Sequence, residues 1–560
     1  MRNRFFSAAV AALALAAGSA FSAEPDHLNV QEPTRPGYLE RERKPAVDFS
    51  LPPVAPASPV AAPGAQSVLL EKVRFVGNTV VSTEDLQAVA APFVGKEVSA
   101  AEIETLRQKA TLLYVNRGYI NSGALLASET LDQGTLTLNI VEGRLKEVRL
   151  RGMDGLSEPY VAERLARDDE VFNIQTLGER FQLLLADPLL ARMTGQLMPD
   201  AERGKAILNV EVERARPYQL SLTANNYRPV SIGAQSATLG GWVRNLTGYG
   251  DTFEASYQAP IGNGSAQRTA LGWRVPLNTW GTQVSLNYDA GASSVIEQPV
   301  QSLDIKSRLV GKDIGISQTL SEALNHKLAM GLNRVVRENR TTLLGEPFSF
   351  VPGEPSGTSI AKDWRFWQEY TERWEKQVLA LRSTFTFGNN NQDDTGAAPG
   401  VKLDRSYRVW LGQGQYARRL LENGTQFIVR LNVQETSDRL IAMEGMSVGG
   451  VNTVRGFREN QLVRDSGAVT NFELDVPVVA DNANKLTLNL VPFYDRGRAM
   501  NQDDTPAVIS SIGVAARMRW QGLAIDLAAA HRQVHPATIT KSSSNLQDKG
   551  IHLQVSYNFY

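Results

Sequence analysis

The chain has 560 residues, enough for several domains that each bury a core. Its 58 basic and 59 acidic residues almost cancel, which leaves no net charge to attract nucleic acid, and no nucleic-acid partner is expected. The absence of cysteine excludes disulfides, iron–sulfur clusters, thiolate zinc and cysteine catalysis; the five histidines are scattered, so neither a metal nor another cofactor is expected.

At the start, Arg2 and Arg4 precede the apolar run "FFSAAVAALALAAG", and small residues follow in "GSAFSAE". That is the layout of a secretory signal peptide over residues 1–23, and it predicts export. Cleavage after Ala20 puts Gly18 at the third position back, whereas cleavage after Ala23 puts Phe21 there; both stay open. No later stretch approaches the run of about 18 apolar residues that a spanning helix needs, so a membrane-embedded mature chain would have to cross as a closed β-barrel. Residues 24–66 are rich in proline and alanine, as in "SLPPVAPASPVAAPGAQS", and predict a linker. The preceding "GYLERERK" reads first as a solvated charged stretch and is long enough for at most a short helix, which could plug a pore.

Two loosely repeated modules follow, at residues 67–143 and 144–215. "KVRFVGNT" at the start of the first returns as "EVRLRGMD" in the second, and "LTLNIVEG" is echoed by "AILNVEVE". Between the strands of the first module, Ser82 can cap a helix "TEDLQAVA". Ser99 with Glu102 forms a capping box for a second helix, which puts Ile103, Leu106, Ala110 and Leu113 on one face and stops at Gly118. In the second module "LGERFQLLLADP" clusters Phe181, Leu184 and Leu185 before Pro188. The expected order in both is strand, two helices, two strands.

From residue 216 to 560 the texture becomes strict alternation. Phe253, Ala255 and Tyr257 share one face, as do Val284, Leu286 and Tyr288, and again Phe427, Val429, Leu431 and Val433. A soluble sandwich or propeller alternates too, but export and polar opposite faces favour an outer-membrane barrel. Read back from the C-terminus, connections alternate between long and short: a long one around Pro536 to Asp548, the tight Gln521–Gly522 turn, "NQDDTPA", the short "DNAN", then a long one around 444–464. Short periplasmic turns alternate with longer external loops in such barrels, so the segment 444–464 is expected to be rooted on the external side.

That segment reads "EGMSVGGVNTVRGFREN". Gly445 to Gly449 fit the G-x-S-x-G pattern of an esterase, with Ser447 as nucleophile. The glycines and β-branched residues after it make a poor helix, however, whereas a nucleophile elbow needs one. Arg455 has a better setting. In "KLTLNLVPFYDRG" Leu486, Leu488, Leu490 and Tyr494 share the lipid-facing parity. Asp495 takes the other parity and points into the lumen, provided Pro492 does not shift the register.

The order of signal peptide, proline-rich linker, two such modules and a C-terminal barrel resembles the outer-membrane transporters of two-partner secretion, the filamentous-haemagglutinin and haemolysin secretor family of the Omp85 superfamily. "VRFVGNTVVSTEDL" and "YVNRGYINSGALL" are similar to its POTRA domains, "GGVNTVRGF" to its VRGF/Y loop motif, and "FYDRG" to the barrel-wall motif facing that loop. The resemblance implies a transmembrane β-barrel of about 16 antiparallel strands preceded by two α+β POTRA domains. It also implies an inward-folded loop in which Val454, Arg455, Gly456 and Phe457 form the tip and Arg455 pairs with Asp495, between Phe493 and Gly497 of the wall motif. The implied activity is non-enzymatic: in a Gram-negative outer membrane, periplasmic modules would receive an unfolded exoprotein with an N-terminal secretion domain, an adhesin, haemolysin or similar, and pass it through the barrel. Docking would follow the backbone of an edge strand near Leu125 and Leu126, whose side chains themselves read more simply as core. Outer-membrane lipids and the barrel-assembly machinery would be further partners, with Phe559 or Tyr560 as the C-terminal assembly signal. The alternatives are an Omp85-type insertase of other barrels and, more remotely, an outer-membrane esterase using Ser447.

Overall fold

The computed structural model describes residues 48–50, 67–132, 134–167, 169–350, 356–391, 403–502, 504–534 and 545–559. The expected signal peptide, nearly all of the expected linker with its short helix, and Tyr560 lie outside them. Two compact units result, one reaching to Arg216 and the other beginning at Pro217.

In the first unit the sequence 68–143 folds as a strand Lys72–Val76, helices Thr83–Ala90 and Ala100–Asn116, and strands Gly123–Asp132 and Thr135–Val141. Ser82 accepts from the Asp85 N–H, and Ser99 and Glu102 complete a reciprocal capping box. Leu86, Leu106, Ala110 and Tyr114 bury one helical face against Val73, Leu136 and Leu138. The strand order places Gly123–Asp132 at an edge of the sheet. An unexpected small ladder pairs Val68–Leu70 with Lys96–Val98. Glu142 ties the module's two sequence motifs together: it accepts from the Thr79 N–H at 2.6 Å, the Val80 N–H at 3.0 Å and the buried Tyr114 hydroxyl at 3.0 Å. Burial alone would raise its pKa, but these donors outweigh it and hold the carboxyl below the usual range.

The second module repeats the plan with strand Arg144–Arg151, helices Glu158–Leu165 and Ile174–Leu185, and strands Leu190–Pro199 and Lys205–Arg214. Phe181 and Leu184 are core, while Leu185 is only partly buried against it. The repeated glycine of the two opening motifs has one cause in both copies. Gly77 and Gly152 sit at φ 95° and 75°, and a Cβ there would come within 2.6 Å of the Ile140 carbonyl oxygen and 2.1 Å of that of Val212. The modules are also joined: Asn173 caps its helix through Oδ1 and donates through Nδ2 to the Arg117 carbonyl, and Ile120 packs on the second core. Asp48–Ser50, expected within the linker, instead form a strand parallel to Thr194–Gln196 and complete the second sheet's edge. Three residues can do this through backbone bonds alone, which no side-chain period announces.

In the second unit, sixteen strands among the described residues run antiparallel from Tyr218–Asn225 to Ile551–Asn558, with Glu346–Pro347 as a short extension in one connection. The barrel closes where Ser221–Asn225 pair with Gln554–Asn558. Its outward face is apolar: Leu222, Tyr257, Tyr288, Phe366, Leu431 and Leu490 are exposed. Inward positions carry buried polar groups such as Arg337, Asp363, Glu473 and Asp495. This inversion of a soluble fold is what a lipid-facing barrel requires. Short connections (323–325, 374–376, 482–485) alternate with long ones (295–305, 436–465, 535–550).

Candidate functional site, a loop clamped inside the barrel

The connection 436–465 is the longest between the described barrel strands. Its flanks pair as a small hairpin, Met446–Val448 with Leu462–Arg464. Ser447 leads into the Gly449–Gly450 turn, with its hydroxyl donating to the Asn460 side chain, so the strand–helix elbow of an esterase is not formed.

At the loop tip Arg455 is buried and fully engaged. Its Nε and Nη2 each donate at 2.7 Å to the two oxygens of Asp495, its backbone N–H adds a third bond at 3.0 Å, and Nη1 reaches Glu473 at 2.7 Å. The guanidinium carbon stacks 3.5 Å from the centroid of the Phe493 ring. Asp495 and Phe493 belong to the strand Leu486–Met500, which keeps unbroken register with Ala507–Trp520 through Pro492. Asp495 therefore lies on the lumenal parity together with Asn489 and Gly497. The expected residues are thus brought together: a planar fork meets a carboxylate in two-point geometry.

The rest of the motif fills space. Val454 and Phe457 are completely buried with Met446, Val448, Leu462, Val469, Ala499 and Ile509. Gly497 makes room for them, because a Cβ there would lie 2.3 Å from Val448 and 2.8 Å from Val454. Gly456 turns at φ 88° with its virtual Cβ 2.7 Å from that of Ala530. Its N–H donates to His552 Nε2 at 3.0 Å, and its carbonyl accepts from Arg532 at 2.6 Å. Two residues later, Arg458 holds Asp548 with two bonds of 2.6 and 2.8 Å and Glu297 with one of 2.9 Å.

Several partners escaped the sequence reading. Glu473 also binds Arg430 and Arg517, and Asn471 donates to Asp495 at 2.8 Å. The available signal was the stretch "TNFELDV", where Asn471, Glu473 and Asp475 alternate inward between apolar residues. Their pairing with particular arginines depends on strand register, which that alternation does not give.

The other expected residues lie elsewhere. Leu125 and Leu126 sit on the edge strand, Leu125 half-buried and Leu126 exposed. Phe559 lies one residue past the last strand, donates its N–H to the Leu220 carbonyl and packs edge-on against Tyr557 at 5.2 Å.

Comparison with known proteins places this geometry. The model for POTRA domains of the ShlB type matches residues 68–143. The outer membrane transporter CdiB of Dickeya dadantii is 22% identical over 486 residues, covering 80% of each chain. The heme/hemopexin transporter protein HuxB of Haemophilus influenzae is 22% identical over 484 residues, covering 84% of this chain and 82% of its own. Among solved structures, CdiB from Escherichia coli superposes with a TM-score of 0.68 at 18% identity over 93% of this chain and 94% of that one. BamA from Haemophilus ducreyi lacking POTRA domains 1–3 gives 0.53 at 12% identity, over 88% of this chain and 100% of that one. A match to the haemolysin secretion/activation proteins ShlB/FhaC/HecB spans residues 204–519, more than half of the chain, and this protein belongs to that family.

Proposed function

We propose that the chain is a non-enzymatic outer-membrane translocator that takes an unfolded exoprotein from the periplasm through its two modules and exports it through the barrel. The barrel lies in the outer membrane of a Gram-negative cell and the modules in the periplasm. The observation that carries the reading is the clamp on the loop tip: Arg455, Asp495 and Glu473 hold a long external loop within the lumen, where it obstructs the pore until released. The exposed edge of Gly123–Asp132 suits the arriving chain, which can add a strand there by backbone bonds. The client is an exoprotein with an N-terminal secretion domain, of the adhesin, haemolysin, haem-binding or contact-dependent toxin kind.

Removing one partner of a buried ion pair costs about 3–5 kcal/mol, less where water enters. Arg455→Ala and Asp495→Ala are therefore expected to impair secretion and alter single-channel behaviour in planar bilayers while the barrel still assembles. The exchange of Arg455→Asp with Asp495→Arg restores only part of the wild-type behaviour, because an aspartate at the tip would face Glu473. Conductance and secretion unchanged in both single variants would refute the gate.

A further inference from the structure

The loop is held at a second place, ten residues before its tip and with the charges reversed. Glu444 is buried, with its side chain 6% exposed. One of its oxygens accepts from Arg337 at 3.0 Å and the other from Arg365 at 2.8 Å, while Arg337 also donates to the Met443 carbonyl at 3.2 Å. Arg365 is oriented in turn by Asp363 at 3.1 Å, and Asp363 accepts from the buried Tyr407 hydroxyl at 2.6 Å. Apolar contacts flank the group: Ile441 and Met443 pack on Leu309 and Ala361, and Leu440 on Tyr407 and Val409.

The position of this group on the wall matters. Arg365 lies on the strand Thr358–Arg373, the eighth of sixteen, and Arg337 on the seventh, His326–Leu343. The tip contact His552 lies on the sixteenth, Ile551–Asn558. The clamp on Arg455 itself lies nearer, on the twelfth and thirteenth strands with Glu473 and Asp495, and Met446 and Val448 already pack on those two strands, so the two holds grip separate parts of the wall four to five strands apart. A strap fixed at one end only would still swing on the other.

We infer that Glu444 is a positioning residue for translocation, a second latch which, through Arg337 and Arg365, keeps the loop in the pore independently of Arg455. This rests on the gate reading above. Arg337 and Arg365 also line a lumenal cavity of about 370 Å³ whose other charged groups are of both signs, Arg268, Lys312 and Arg382 among the cations and Glu254, Asp289 and Asp313 among the anions. Departure of Glu444 takes its negative charge away from Arg337 and Arg365, while Asp363 stays on Arg365, so the passage becomes more positive and the open state gains anion preference.

The test uses the full-length protein in planar bilayers. Glu444→Gln is expected to raise the frequency of opening about tenfold or more, Glu444→Asp by less, and Glu444→Gln with Arg455→Ala by more than either alone. The reversal potential of the open state in a salt gradient should favour anions, and Arg337→Gln with Arg365→Gln should reduce that preference. A variant that leaves every latch residue intact guards against misfolding: the chain has no cysteine, so Ala361→Cys with Ile441→Cys can be joined without background by a short bis-methanethiosulfonate, each thiolate displacing methanesulfinate to form a disulfide to the linker. Joined, this pair should suppress the openings produced by Arg455→Ala, and reductive release of a cleavable linker should restore them. Glu444→Gln indistinguishable from wild type beside an altered Arg455→Ala, or a joined pair that opens as freely as before, overturns the second latch. An altered Glu444→Gln beside a silent Arg455→Ala supports it and moves the gate away from Arg455.

Discussion

At the scale of single residues, the loop tip depends on geometry as much as on charge. Arg455→Lys keeps the cation but cannot reach both Asp495 oxygens and Glu473 at once, so opening frequency in bilayers is expected to fall between those of wild type and Arg455→Ala. Gly456→Ala should also unseat the tip, for two separable reasons: the left-handed backbone costs a side chain about 1–2 kcal/mol, and the new Cβ collides with Ala530. Adding Ala530→Gly removes the collision alone and should bring the opening frequency part of the way back. Strand parity put Asp495 in the lumen, and its pairing with Arg455 was implied by the family resemblance of the loop and wall motifs. Glu473, Asn471 and Glu444 were not legible, because each is recruited across a strand register or from loop to wall.

At the scale of elements, the first module offers an edge and a knot. Leu126→Asp on the exposed edge should weaken capture of a client's secretion domain by the purified protein without changing bilayer conductance, and unchanged binding would remove this strand from the docking surface. Glu142 makes the GNTV turn depend on pH. Its carboxyl titrates below the ordinary value of 4.5 in the folded module, so the stabilisation is complete above that value and is lost as pH falls through the lowered range. The protection factors of the Thr79 and Val80 amides, their exchange relative to the intrinsic rate at each pH, should fall on acidification through that range, and Glu142→Gln should lower them already at neutral pH. Helices with capping signals, such as those begun by Ser82 and Ser99, could be read directly from the sequence. Glu158–Leu165 was expected only through the repeat of strand, two helices and two strands, without bounds of its own. The strand at Asp48–Ser50 was hidden, being defined by the edge it joins.

For the whole molecule, alternation and the rhythm of long and short connections were enough to announce a barrel, because a lipid-facing wall forces period two on every strand. What they could not supply was the strand count, which came from family resemblance, or the side of the lumen on which any inward residue finds its partner. Closure itself rests on backbone pairing between Ser221–Asn225 and Gln554–Asn558 and owes nothing to the loop. Arg455→Ala and Glu444→Gln barrels should accordingly keep the heat-modifiable gel mobility of a closed barrel, whereas a chain ending before Ile551 should lose it.

The tip contacts also tie the loop to the closure of the wall. Glu473, Asp495, Arg532, Asp548 and His552 all follow the loop in the chain, the last of them on the final strand. Its seat is not complete until the last strand is in place. The strand that closes the wall is thus also the one that completes the seat of the loop, and a barrel lacking it would hold its longest loop by fewer bonds.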